Sequence, residues 1–106
     1  MVKQYEIYWI NLNPTKGSEV NKNRPCLIIS PNEMNNALNT VIIAPITTSN
    51  KDYPTMVKIT LKKKKSFIML DQIRAIDKIR LSNKETVLKK SNQEEVKIVL
   101  TEMLIE

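Results

Sequence analysis

A chain of 106 residues that is 42% hydrophobic can bury one core without disulfides or a structural metal, and the expected organisation is a single domain over residues 1–106. Seventeen Lys and Arg against eleven Asp and Glu leave a net charge of +6, which favours polyanionic partners but is shared by lysine-rich proteins that touch no nucleic acid. One cysteine and no histidine exclude an internal disulfide, a zinc site built from several thiolates and every Ser-His or Cys-His nucleophile pair, so any catalysis must run on other groups.

Residues 5–12, YEIYWINL, alternate Tyr5, Ile7 and Trp9 against Glu6, Tyr8 and Ile10 and read as a strand. The turn formers Asn13-Pro14-Thr15-Lys16-Gly17-Ser18 open a long loop that holds the only glycine, where a positive φ is expected. That loop ends at Arg24-Pro25, and the proline forces Arg24 into an extended conformation at the entrance of CLIIS, residues 26–30, an apolar strand covered on both faces. Residues 32–39, NEMNNALN, fit one short helical turn or an irregular excursion equally. VIIAPI, residues 41–46, is a strand whose Pro45 implies an edge position or a break in the sheet. TMVKITL, residues 55–61, alternates as a half-exposed strand, Lys62 to Lys65 form a solvated hairpin end with nucleic-acid contact as the lesser alternative, and SFIMLDQIRAI reads as one further strand. The C-terminal segment is a helix, with Ser91 and Glu94 as a capping box and Val96, Val99, Leu100, Met103 and Leu104 as its apolar stripe. The sum is five or six short strands, mostly antiparallel, closed by one helix as a small barrel-like sheet. The first ten residues lack a signal-peptide pattern, and no apolar run approaches the roughly 20 residues of a membrane span, so the expected location is the cytoplasm, with no membrane partner.

Three stretches are costly for stability alone: Gly17-Ser18-Glu19, Arg24-Pro25 and Pro45-Ile46-Thr47-Thr48. If the strands meeting them are neighbours, they gather a hydroxyl, a carboxylate and a guanidinium around one hollow. Such a hollow suits a phosphate, because an arginine fork holds two oxygens at once.

The successive motifs LNPTKGSE, NRPCLIISP, APITTSNKDYP and LDQIRAIDKIRL, in this order and near this spacing, resemble the MazF/PemK toxins of bacterial toxin–antitoxin modules, and the resemblance runs from Glu6 to the terminal helix. It implies an α+β, mainly β fold: an SH3-like small barrel of the CcdB/PemK type with a C-terminal helix. It implies a homodimer and a sequence-specific, ribosome-independent endoribonuclease that cuts single-stranded RNA with no metal or other cofactor and is neutralised by a MazE-like antitoxin. The family's catalytic pair falls on Arg24 and Thr47. In that chemistry the ribose 2′-hydroxyl attacks the phosphorus, leaving a 2′,3′-cyclic phosphate and a 5′-hydroxyl. Charge that builds on the phosphoryl oxygens suits a fixed guanidinium and a hydroxyl donor. On residues alone, Arg24 has an ion pair with Glu19 or another carboxylate as its lesser alternative, and Thr47 is as readily an ordinary strand end.

Ser18 and Glu19 match a loop beside the family's active site, with turn stabilisation as their structural alternative. Thr48 is a neighbour able to contact substrate. Asp71-Gln72 match the family's Asp-Gln pair and are candidates for RNA contact or for a structural hydrogen-bond network. Arg74, with Lys78 and Arg80, steers RNA through charge. Trp9 and Tyr5 are expected in the core or a dimer contact, Tyr53 as a lid or a stacking surface, and Cys26 as a small buried hydrophobe. The general base is left open, since a threonine hydroxyl is a poor one. The chain departs from the family at Tyr5, where a glycine often precedes the acid, at Val20, where glutamine is common, and in Asn21-Lys22-Asn23, which lacks a glycine before Arg-Pro. The competing readings are a gyrase inhibitor of the CcdB type and a non-cleaving nucleic-acid-binding module on the same barrel.

Overall fold

The computed structural model describes residues 1–13, 23–49 and 53–105. Seven strands and two helices follow in the order β1 (Glu6–Asn11), β2 (Asn23–Ile28), α1 (Asn32–Ala37), β3 (Thr40–Thr47), β4 (Met56–Leu61), β5 (Lys64–Met69), β6 (Arg74–Asp77), β7 (Leu81–Val87) and α2 (Lys90–Leu104). The path through the sheet is β4-β5-β3-β2-β1-β7, with β6 also on β3, and every pairing is antiparallel. The strands curl into a half-barrel with the C-terminal helix, as the resemblance implied. No helix among the described residues is long and apolar enough to cross a membrane.

Two apolar clusters lie on opposite faces of the central strands. Ile7, Leu27, Ala44 and Ile46 join Val57, Ile59, Ile68 and Leu70 in one cluster, which also takes in Val96 of α2. Ile10, Cys26, Ile28, Val41 and Ile43 form the other with Leu12 and Ile76. The period of two along β2 therefore sends Leu27 one way and Cys26 and Ile28 the other, which is why its sequence is apolar throughout.

β3 is the pivot. One side pairs with β2 from Ile43 to Pro45; the other pairs with β6 from Thr40 to Ile43 and then with β5 at Ile46 and Thr47. Pro45, fully buried, sits in the gap between those last two pairings, where a residue with no N–H does least harm to a ladder. The expected break in the sheet is present, but β3 is a central strand and not an edge.

Other departures have local causes. SFIMLDQIRAI is not one strand: a 3-10 turn at Leu70–Gln72 divides it, so that β5 serves the end of β3 and β6 its beginning. β7 escaped sequence reading because LSNKETV has no apolar alternation. It is held instead by β1 and by side chains, Lys84 Nζ on Glu6 Oε2 at 2.7 Å and Trp9 Nε1 donating to Glu85 Oε1 at 2.9 Å. In α1 the buried residue is Asn35, whose Nδ2 donates to the Ser30 carbonyl at 3.0 Å and whose Oδ1 accepts from Ser30 Oγ at 2.6 Å. The capping box is absent: α2 begins after Lys89, which makes no side-chain cap, and Ser91 lies in the first turn. Leu104 is 61% exposed and does not belong to the buried stripe.

Among the described residues, three other than glycine have positive φ. Lys62 (50°) and Lys63 (65°) form the two-residue turn between β4 and β5, a type I′ geometry that Asn-Gly adopts at lower cost. Tyr5 (71°) is the third, at a position where the resemblance led glycine to be expected, and its ring packs on the first cluster. The next residue, Glu6, is buried and well satisfied: besides Lys84, its Oε1 accepts from the Lys3 amide at 2.8 Å and the Tyr8 hydroxyl at 3.2 Å. Burial pushes its pKa up, but Lys84, Lys3 and Tyr8 outweigh this and hold it below the ordinary value of 4.5.

Replacing Lys63 by glycine is expected to raise stability by about 0.5–1 kcal/mol in denaturant titration, since relief of the left-handed strain exceeds the added entropy of the unfolded chain; a loss would contradict the turn geometry. Because the folded pKa of Glu6 is depressed, its contribution is complete above the ordinary carboxylate value and is lost as pH falls through the lower folded one. Glu6→Gln is expected to cost about 1–3 kcal/mol at pH 7 and to flatten the acid limb of the stability curve; an unchanged limb would contradict this.

Candidate active site

Arg24 and Thr47 are brought together by strand register. The pairs Cys26↔Pro45, Leu27↔Ala44 and Ile28↔Ile43 fix β2 on β3. Continuing that register by two residues sets Arg24 opposite Thr47, the last residue of β3. Arg24 also pairs with Ile10 of β1 and so stands in the same row as that buried isoleucine. The row ends in a half-buried guanidinium because the loop begins there and solvent becomes accessible.

Both residues line one hollow of about 490 Å³, with Trp9, Thr48, Lys62 and Glu85 also on its wall. Asn23, Lys64 and Ser66 complete its polar lining, with Ser49 at its edge. Thr47 Oγ1 accepts the Ser49 amide at 3.1 Å, which fixes the hydroxyl and leaves its O–H able to donate into the hollow. Three cations, Arg24, Lys62 and Lys64, face one carboxylate among the described lining residues. That carboxylate, Glu85, also carries a salt bridge from Lys62 at 3.3 Å. The Trp9 indole N–H, opposed by burial and aided by Lys62, holds its pKa below the usual carboxylate value, so it remains ionised and is a weak base at neutral pH.

Burial pushes the Cys26 thiol up to about 12, and the positive charges of Arg24 and Arg74 pull it in the opposite direction. Cys26 is buried and free, as expected of a small hydrophobe. Arg74 donates from Nη1 to the Leu12 carbonyl at 3.2 Å, and Arg80 donates from Nη1 to the Asn13 carbonyl at 3.0 Å. Both therefore hold the chain where it leaves β1.

The expected residues divide accordingly. Arg24, Thr47 and Thr48 share the hollow. Arg74 is tied to the Leu12 carbonyl and is not on the wall, and Asp71 and Gln72 sit on the 3-10 turn after β5 and do not line the hollow. Lys78 is engaged structurally, its ammonium donating to the Asn35 carbonyl. Tyr53, 54% exposed, lines neither this hollow nor its neighbour. Gly17, Ser18, Glu19 and Val20 fall outside the described residues. Of the two places expected for Trp9, the core is not the one it takes: it is half-buried on the wall of the hollow, paired with Pro25. Nothing in LSNKETV marks Glu85. Lys62 to Lys65 are exposed at the hairpin end, as expected, and the tight turn also brings Lys62 and Lys64 to the wall of the hollow. Among the described residues no group of three or more His, Cys, Asp or Glu could hold a metal ion.

The model of the PemK-like, MazF-like toxins of type II toxin–antitoxin systems matches residues 3–104. Endoribonuclease MazF of Staphylococcus epidermidis is 42% identical over 102 residues, which cover 91% of this chain and 85% of that protein. Among solved structures, MazF from Deinococcus radiodurans superposes with a TM-score of 0.87 at 23% identity, covering 99% of this chain and 97% of the other. An endoribonuclease bound to its cognate antitoxin, from mycobacterial species, gives 0.83 at 19% identity, covering 98% and 95%. At these identities the structural likeness concerns the fold, whereas the family match spans nearly every residue. The chain belongs to the PemK-like, MazF-like toxins of type II toxin–antitoxin systems.

Proposed function

We propose that this protein is an endoribonuclease toxin that cuts single-stranded RNA at short sequence motifs, independently of the ribosome and without a metal ion, in the hollow shared by Arg24 and Thr47. The observation that carries this reading is the convergence of the two on one wall. Family membership and the 42% identity to an endoribonuclease MazF support it.

In this mechanism the scissile phosphate lies between the two strand ends. The guanidinium of Arg24 forks two non-bridging oxygens, and the Thr47 O–H donates to one of them as negative charge accumulates. The 2′-oxygen forms a bond to phosphorus, and the bond to the 5′-oxygen breaks. The 2′-hydroxyl proton leaves to a base and the departing 5′-oxygen gains one, so the products are a 2′,3′-cyclic phosphate and a 5′-hydroxyl. Glu85, held ionised and tied to Trp9 and Lys62, positions the wall and is too weakly basic for proton abstraction. Glu19 remains the candidate carboxylate for that step, with Ser18 beside it. Thr48 contacts the strand next to the cut, and Asp71, Gln72 and Arg74 serve RNA contact farther along. The active unit is a homodimer in the cytoplasm, and an acidic, MazE-like antitoxin covers the basic hollow in the resting cell; the antitoxin-bound structure of a mycobacterial relative supports such a partner.

The test is incubation of the purified protein with a long RNA in EDTA, followed by mapping of fragment ends. The expected result is cleavage that survives chelation and leaves 5′-hydroxyl ends at a restricted set of sequences. Arg24→Ala and Thr47→Val are each expected to slow cutting by about 10²–10³-fold while circular dichroism is unchanged. RNA left intact across varied sequences, or activity retained in Arg24→Ala, would contradict the assignment.

A further inference from the structure

A second hollow of about 530 Å³ adjoins the first. Thr48 and Ser66 belong to the walls of both, so the two share a partition at the end of β3 and the middle of β5. Its remaining polar lining includes Lys58, Thr60 and Lys65 from the β4–β5 hairpin and Lys89, Ser91 and Asn92 from the start of α2. The hairpin residues share a face by register: Thr60 pairs with Lys65, and Lys58, two residues away on β4, pairs with Phe67. Asn92 Nδ2 reaches the Lys58 carbonyl at 3.5 Å and ties the helix to that face.

Three ammonium groups thus converge with no carboxylate among the described lining residues. Lys62, Lys84 and Lys97 are held in salt bridges by Glu85, Glu6 and Glu94, whereas among the described residues Lys58, Lys65 and Lys89 are in none. Gathering like charges costs stability, and an anion relieves that cost. The hollow offers no exposed apolar surface for base stacking or apolar anchors, since its two large apolar residues, Ile59 and Phe67, are 7% and 4% exposed and belong to the floor, and the Asn92 amide is already bonded to the Lys58 carbonyl and Glu95. A wall of mobile point charges over an inaccessible floor suits backbone phosphates and reads no sequence.

We infer that this second hollow holds phosphates of the same RNA strand beyond the cut, as a sequence-blind extension of the first. The inference rests on the RNA-cleaving reading above and adds to it a path along β5 to the start of α2. It separates two jobs: the first hollow cuts, and the second supplies affinity and holds the strand in place.

The experiment uses the full chain and the variant Lys58→Gln/Lys65→Gln/Lys89→Gln, with Lys3→Gln/Lys97→Gln, which line neither hollow, as control. Binding of a labelled, uncleavable 2′-O-methyl oligoribonucleotide of random sequence is followed by anisotropy across salt concentrations. With about 0.7 counterions released per single-strand phosphate contact, the triple variant is expected to lose about 2 from the log–log salt slope. A four-fold rise in salt then weakens the parent about 20-fold more than the variant. The control slope stays at the parent value, the Lys→Arg triple restores it, and thermal stability of the glutamine triple is unchanged or higher. Cleavage of a long RNA slows at limiting substrate, with the same sites cut.

If the parent neither binds nor cuts RNA, the functional reading itself fails. If the parent cuts and the triple keeps the parent slope and binds within two-fold, the extension alone is overturned. It is likewise overturned if the set of cut sites changes, if the arginine triple fails to restore the slope, or if the triple loses affinity for an acidic peptide while retaining RNA binding.

Discussion

The pairing of β2 with β3 governs the geometry at the candidate site. Three consecutive pairs, from Cys26↔Pro45 to Ile28↔Ile43, are locked by side chains buried on both faces, so a slip of one residue would exchange the two cores. That lock leaves Arg24, two residues before the last pair, and Thr47, two residues after it, at the same end of the sheet. β3 can make this excursion because it changes partners at Pro45, leaving β6 and taking up β5. The cores therefore do more than stabilise: they fix where Arg24 and Thr47 meet, and the loops add reach around a point the strands have already set.

Charge is placed with the same economy. Glu6 of β1 and Glu85 of β7 stand on the two strands of one pairing and each takes a lysine. Glu6 closes a buried network, whereas Glu85 braces Trp9 and Lys62 at the hollow's wall. Lys62 and Lys63 accept left-handed backbone in the hairpin turn, and the tightness of that turn carries Lys62 and Lys64 over the hollow. A more relaxed turn sequence would be cheaper for the fold.

Much of this was legible before any coordinates. Alternation in β1 and β4, the apolar run of β2 and the stripe of α2 follow from burial, and burial is what hydrophobic period reports. Arg24 was conspicuous because a permanent charge before an apolar strand needs a reason, and Thr47 emerged through the family's motif. β7 and Glu85 were hidden because LSNKETV is fixed by hydrogen bonds to β1, and those leave no period. The division of β5 from β6 was hidden because Leu70 is fully buried inside a 3-10 turn and so reads as strand. An aromatic in a strand usually faces the core, but Trp9 is only half-buried, and the buried apolar positions of β1 are Ile7 and Ile10. The lysines of the hairpin look like any solvated turn until the register shows what they overhang.

The central claim is that one phosphodiester is held between the end of β2 and the end of β3. The most direct measurement is a crystal structure with an RNA whose cut-site nucleotide carries 2′-hydrogen in place of the hydroxyl. The account expects the scissile phosphate within hydrogen-bonding distance of both the Arg24 guanidinium and the Thr47 hydroxyl. A well-ordered strand whose phosphates all lie beyond the reach of Arg24 would contradict it.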